Sequence, residues 1–202
     1  MGGHASPDLT AFILAGGKST RMGADKAFVL LDGRTLLARA LDLARSLTRD
    51  VRIVGDPAKF AAIGPVVEDV FPGCGPLAGI HAALRASPTE MNLILAVDVP
   101  FVPPELLQGL IARARKFPDA TVTVVRTSQG WQPLCAVYRR AFAAAAEKAL
   151  AAGRFKIDAL FAAQPMQIID EEELKSAGYS SAAFRNLNTQ RDVAEASGTA
   201  KQ

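Results

Sequence analysis

Two cysteines, two histidines and one tryptophan are all that the 202 residues contain of each. Cys74 and Cys135 are too few for a disulfide framework. Neither lies in a C-x-x-C pair or beside histidines at zinc spacing, so both are expected as reduced thiols. His4 falls in the opening MGGHASPDLT and His81 in an apolar stretch, where a lone histidine is far more often packed or on the surface than catalytic. No apolar run approaches the roughly 18 residues of a membrane span, and the first ten residues hold no signal-like apolar segment, so a soluble cytoplasmic protein is expected. Aromatic residues make up 6% of the chain and the net charge is only +3. A nucleic-acid face would call for a longer basic surface or for aromatic residues among the cations, so no nucleic-acid partner is expected. Two familiar phosphate motifs are missing as well. The P-loop pattern needs a glycine five residues before Gly17-Lys18-Ser19, where Phe12 stands, and no G-x-G-x-x-G occurs.

What is present is 50% hydrophobic and 21% charged, enough for one sizeable α/β domain with a real core. Residues 1–9 read as a disordered tail and residues 10–202 as the domain. The positive surplus is local. Lys18, Arg21, Lys26, Arg34 and Arg39 stand against Asp25 and Asp32 within residues 18–39, which accounts for the whole net charge. Just before them, residues 11–15 form a strand-like apolar run that breaks into Gly16-Gly17. Glycine permits backbone conformations and close ligand approach that a side chain would block, so this stretch reads as a phosphate-handling loop suited to a nucleoside triphosphate. The same spacing also fits an ordinary turn with solvated cations.

Further along, strand and helix signals alternate, the mark of an α/β fold with a mostly parallel sheet and helices on its faces. Thr35 can cap a helix whose apolar positions run from Leu36 to Leu47. Residues 51–54, 65–68 and 92–97 read as strands, residues 57–63 and 77–86 as helices, and residues 71–76 as a turn. The run 92–97 is continuously apolar after Asn92, as parallel strands are when both faces are buried. It ends on Asp98, and the prolines at 100, 103 and 104 force the chain out of the strand at once. In open α/β sheets ligands bind outside the carboxyl edge of the strands, so Asp98 and the opening loop should face one crevice. Mg²⁺ takes one or two carboxylates plus substrate phosphates, and Asp98 fits that description, with Asp69, at another strand end, as the second carboxylate. Lys26 and Arg21 would neutralise phosphate charge, and no protein nucleophile is needed. A turn or cap aspartate remains the bland alternative at both positions. In the second half, residues 120–125 and 133–138 read as strands, residues 139–152 as a helix ending at Gly153, and residues 131–133 as a connection whose Trp131 either lines a pocket or covers the core. Asn186 and Asn188 alternate, so both amides should point to one side, and Thr189 before Asp192 suits a helix start.

The segments LAGGKSTRMGADK (residues 14–26), GPLAGI (75–80), DVP (98–100) and NLNT (186–189) resemble, in order and spacing, the molybdenum cofactor guanylyltransferase (MobA) family over nearly the whole chain. The long opening motif is specific for that group, whereas the later pieces are weak alone. The resemblance implies a Rossmann-like nucleotidyltransferase fold with helices on both faces of the sheet, Mg²⁺ as cofactor, and transfer of GMP from GTP to molybdenum-molybdopterin with release of pyrophosphate. It implies a nucleotide-binding half over about residues 10–105 and a cofactor-binding half over about residues 106–195. By position, Leu14, Ala15, Gly16 and Gly17 would lie at the nucleotide, Lys26 on its phosphates with Arg21 beside it, Asp69 near the guanosine, and Asp98 on the bound metal. Asn186 and Asn188, with Arg154 and Lys156, would belong to the pterin side, and molybdoenzymes or their chaperones would be transient partners. Two departures stand out: Val54-Gly55-Asp56 where relatives can carry an asparagine, and Gln132-Pro133 where some have His-Pro. Base choice between GTP and CTP is left open by the first. A cytidylyltransferase using CTP and a non-catalytic pterin carrier are the rival readings.

Overall fold

The computed structural model describes residues 8–16 and 25–199, the side chains of 198 and 199 excepted. Gly17, Lys18 and Arg21 therefore lie outside the described residues. In chain order the elements are β1 (Leu9–Leu14), β2 (Leu30–Leu31), β3 (Arg34–Thr35), α1 (Leu36–Arg45), β4 (Asp50–Val54), α2 (Pro57–Phe60), β5 (Val66–Val67) and α3 (Pro76–Ala86). They continue as β6 (Met91–Ala96), α4 (Pro104–Lys116), β7 (Val122–Thr127), β8 (Gly130–Arg139), α5 (Phe142–Ala151), β9 (Met166–Ile169), α6 (Glu171–Ser176) and α7 (Gln190–Thr199). Seven strands make one sheet in the order β5-β4-β1-β6-β8-β7-β9, and β2 with β3 forms a separate small hairpin. Only β8 runs against the others, pairing antiparallel with both β6 and β7. The expected mostly parallel α/β sheet is therefore present.

Every residue of β1 and of β6 is buried, which is what a central parallel strand covered on both faces requires. Alternation along β1 sends Leu9, Ala11 and Ile13 to one layer, shared with α1, α4, α6 and α7. Phe12 and Leu14 point to the other, shared with α3 and α5. Helices thus cover both faces. Thr35 caps α1 as its position suggests, its Oγ1 accepting the Ala38 N–H at 3.1 Å.

Several boundaries differ from the sequence reading. Trp131, Gln132 and Pro133 are not a connection but belong to β8, whose first residues pair with the end of β7 (Arg126 with Trp131). The register between β7 and β8 shifts around Val125, and β6 pairs with β8 only as far as Cys135, so the missing N–H of Pro133 falls where the ladder is already interrupted. Because β8 continues to Arg139, α5 starts at Phe142 rather than at 139. The helix from Pro57 stops at Phe60, whose carbonyl takes the N–H groups of Ile63 and Gly64. The edge strand expected over 65–68 shrinks to two residues. Strand β9 and helix α6 are additions to the sequence reading, although Asp170 caps α6 through the Glu173 N–H at 2.9 Å, a spacing visible in the sequence. Buried Cys135 has its thiol pushed up to about 12 by burial, in keeping with an inert reduced side chain.

Two glycines are required by their surroundings. A Cβ on Gly55 would stand 2.7 Å from Cε2 of Phe60, a ring that is itself buried. Gly75, which precedes α3, holds φ 76° and ψ −166°, a region essentially closed to side chains. Gly55→Ala and Gly75→Ala should each lower stability by about 1–3 kcal/mol, read as a shift of the urea midpoint at constant m-value. An unshifted midpoint would show that the local backbone relaxes freely.

Candidate active site

The register aligns the ends of three parallel strands, Leu14 standing beside Val54 on one side and Ala96 on the other. Beyond them the backbone stays tied together. Ala15 N–H and Gly16 N–H both donate to the Val54 carbonyl, at 3.0 and 3.1 Å, and Val97 N–H donates to the Leu14 carbonyl at 3.2 Å. The start of the glycine-rich loop therefore leaves between β4 and β6, one residue before Asp98 leaves β6. Gly16 and Asp98 therefore stand at the same carboxyl edge of the sheet.

Three side chains from distant parts of the chain meet there. Lys26 Nζ donates to Asp98 Oδ2 at 2.8 Å and to Asn188 Oδ1 at 2.6 Å. Lys26 sits at the start of a short 3-10 turn, Lys26–Phe28, capped by Asp25, whose Oδ1 accepts from Ala27 N–H at 3.2 Å. Asp25 Oδ2 also pairs with Lys59 at 2.8 Å, which raises the lysine pKa and fastens the turn to α2. Sequence reasoning missed Asp25 and Lys59 as anchors. Nothing in local spacing relates position 25 to position 59.

Asn188 is held from the C-terminal side. Leu187 is fully buried and its N–H donates to the Asp98 carbonyl at 2.9 Å, so the flanking Asn186 and Asn188 are exposed on the opposite side. Asp192 Oδ2 accepts the N–H groups of Asn188 and Thr189 at 2.8 Å each, and the Thr189 hydroxyl accepts Asp192 N–H in return. The hydrogen bond from Asn188 N–H, first among these, holds the Asp192 carboxyl below its ordinary range. Asn186 makes no hydrogen bond with a described residue.

The remaining candidates do not join this cluster. Asp69 is half-buried after β5, its Oδ1 taking Phe71 N–H at 2.8 Å, and burial raises its pKa above the usual carboxylate range. Because β5 and β6 are separated by β4 and β1, Asp69 and Asp98 stand about 14 Å apart at ordinary strand spacing. Asp69 is therefore no second ligand to an ion on Asp98. Arg154 and Lys156 follow α5, which begins at the amino edge where Arg139 pairs with Met91 and carries the chain back by about 15 Å. Both are exposed, and Lys156 Nζ lies 3.6 Å from Asp158 Oδ2. Trp131 is engaged by Arg126, 5.3 Å above its ring, and by Phe161 edge-on at 5.3 Å, so it covers the core edge. His81 is 3% exposed, with neither ring nitrogen hydrogen-bonded, and Glu147 lies 3.8 Å away.

Asp98 fits a hard divalent cation. Its carboxylate is partly open to solvent and its second oxygen accepts no hydrogen bond from a described residue. Among the described residues no group of three or more His, Cys, Asp or Glu could hold a metal, so phosphate oxygens and waters would have to complete the shell. No helix among the described residues is long and apolar enough to cross a membrane.

Known proteins share this outline. The family described as MobA-like NTP transferase domain matches residues 11–167. A molybdenum cofactor guanylyltransferase of Desulfosudis oleivorans is 34% identical over 196 residues, covering 96% of each chain. A probable molybdenum cofactor guanylyltransferase of Pelotomaculum thermopropionicum is 33% identical over 189 residues, 93% of this chain and 91% of the other. Among solved structures, molybdopterin-guanine dinucleotide biosynthesis protein A from Archaeoglobus fulgidus superposes with a TM-score of 0.81 at 26% identity, over 95% of this chain and 98% of that one.

Burial holds the His81 pKa below its ordinary value, so below about pH 6.5 the unfolded chain takes up a proton that the folded chain resists. Stability should fall as pH drops through that window, and His81→Phe should flatten the fall. Urea midpoints between pH 7.5 and 5 check this, and equal slopes in the two proteins would acquit His81.

Proposed function

The chain belongs to the MobA-like NTP transferase family and is a nucleotidyltransferase, and on that premise we propose that it transfers GMP from GTP to molybdenum-molybdopterin, releasing pyrophosphate. The observation that carries this reading is the meeting of Lys26, Asp98 and Asn188 at the carboxyl edge. In this reading Lys26 is the phosphate-neutralising cation and Asp98 the metal-holding carboxylate, and their hydrogen-bonded group with Asn188 of the later half supports it. Residues 10–105 then form the nucleotide half and residues 106–195 the cofactor half, and the Lys26–Asn188 contact spans the two.

In this reading the terminal phosphate of the pterin substrate attacks the α-phosphorus of GTP in line, and the β,γ-pyrophosphate leaves with the bonding pair. Asp98 would hold Mg²⁺, which when bound supplies charge neutralisation across the phosphates. Lys26 exchanges its protein oxygens for phosphate oxygens as the negative charge develops, with Arg21 beside it. Leu14, Ala15, Gly16 and Gly17 offer backbone against the nucleotide, and Asp69 takes the nucleoside. Asn188 and Asn186, with Arg154 and Lys156, meet the pterin. Gly55 and Asp56 make no equivalent of the relatives' asparagine. Gly55 is closed off by Phe60, and Asp56 Oδ1 caps α2 through Ala58 N–H at 2.9 Å. Family membership as an enzyme sets the carrier reading aside.

Pyrophosphate release should require GTP, the molybdenum cofactor and a divalent cation together, and CTP in place of GTP should support little turnover. Comparable release with CTP would reassign the base. Asp98→Ala should abolish turnover while the Leu187 N–H to Asp98 carbonyl bond keeps the fold, so the thermal midpoint serves as its control. Lys26→Ala should lower kcat by about 10²–10³-fold, the usual loss for one preorganised electrostatic contact. Unchanged kinetics in either variant would move the phosphate site away from this group.

A further inference from the structure

His81 is the residue whose environment its packing does not explain. It lies on the buried side of α3, and neither Nδ1 nor Nε2 has a hydrogen-bond partner among the described residues. A phenylalanine or leucine would fill the same space without stranding two polar atoms. The His81 and Phe71 rings make a T-shaped contact, with centroids 5.3 Å apart and planes at 73°. Glu147 of α5 faces it at 3.8 Å, and the charges of Asp69, from the segment after β5, and Arg85, on its own helix, also act on it.

Phe71 is directly coupled to Asp69, whose Oδ1 accepts the Phe71 N–H. The backbone hydrogen bonds of residues 69–75 are otherwise local: Cys74 N–H to the Phe71 carbonyl, and Ala78 N–H to the Gly75 carbonyl one turn into α3. The segment includes two glycines with positive φ, Gly73 and Gly75, so its own backbone is permissive. What fixes it to the helical layer is side-chain packing, in which Phe71 and Cys74 rest on the core beneath α3 and α5. The His81 ring is the more deeply buried partner in that contact.

We propose that His81 is a positioning residue for the nucleoside, holding Asp69 at the carboxyl edge through its ring contact with Phe71. This rests on the reading of Asp69 as the nucleoside contact. Its signature is a selective one. Loosening the segment should weaken GTP binding and leave the chemical step, which belongs to Lys26 and Asp98 three strand spacings away, unaffected.

The test is GTP affinity by calorimetry with the full-length protein and Mg²⁺, without the pterin substrate, together with the KM and kcat of the complete reaction. His81→Ala should weaken GTP about tenfold and raise KM in step, with kcat held within about twofold, since misplacement of a binding group by a fraction of an ångström has effects of this size. His81→Phe, which keeps the ring edge, should restore affinity to within about twofold of wild type. Leu150→Ala, which opens the same core layer from α5, should lower the thermal midpoint without changing GTP affinity. Asp69→Ala should itself weaken GTP, and adding His81→Ala to it should cost little more. Wild-type affinity in His81→Ala beside weakened binding in Asp69→Ala would overturn the role of His81 alone. Unchanged binding in Asp69→Ala would overturn the nucleoside reading and this inference with it. Failure of phenylalanine to restore affinity, or an equal loss in Leu150→Ala, would also refute positioning by the ring. If His81→Ala does not fold, Phe71→Ala removes the same contact from the less buried side and must give the same split between KM and kcat.

Discussion

A single ammonium group closes this molecule on itself. Lys26 Nζ bridges Asp98 Oδ2 and Asn188 Oδ1, and so links residues separated by 72 and 162 positions in the chain. Taken as a contribution to stability the bridge is modest, on the order of 1 kcal/mol for a partly exposed pair. Its weight lies in position. The Lys26 and Asp98 side chains are 23% and 19% exposed, shielded enough to be held and open enough to exchange partners. Several supports surround it: Asp25 fixes the Lys26 turn, the buried Leu187 fixes the Asn188 segment to the Asp98 backbone, and Asp192 holds the amides of Asn188 and Thr189. The ammonium is thus held by one carboxylate oxygen and one neutral amide oxygen.

That bridge is possible because of how the sheet is wound. With β1 at the centre of three parallel strands, the ends of β4, β1 and β6 come level, and each exit delivers its next residues to the same edge. The one antiparallel strand, β8, then reverses the direction of the chain. Its far end lies at the amino edge, from which α5 follows.

Much of this was legible in the sequence, for reasons that particular residues make clear. The largely apolar runs that became β1 and β6 read as strands, and prolines after Asp98 fixed where β6 must end. Thr35 and the alternation around Leu187 were equally readable, because capping and period-two patterns are local properties. Strand order is not local. Asp69 and Asp98 both sit at strand ends and look interchangeable in the sequence, yet β4 and β1 lie between them and one ion cannot join them. Residues 131 and 132 read as a connection before a strand from 133, and only the shift of register opposite Val125 shows how β8 extends back through Pro133 to Gly130. Short elements such as β9, with half-exposed residues, carry too few side chains for a periodic signal.

The nucleoside side of the crevice is shaped by the same constraints. At the end of β4 the chain holds Gly55, where the Phe60 ring leaves no room for a side chain, and Asp56, whose carboxylate is spent on capping α2. Neither can reach a base. Across the neighbouring strand the carboxylate set at the edge is Asp69, half-buried and kept from easy ionisation by that burial. Where Asp69 stands at this edge depends on how firmly residues 69–75 are seated. That seating is made of two rings, Phe71 and His81, pressed edge to face between α3 and the end of the sheet.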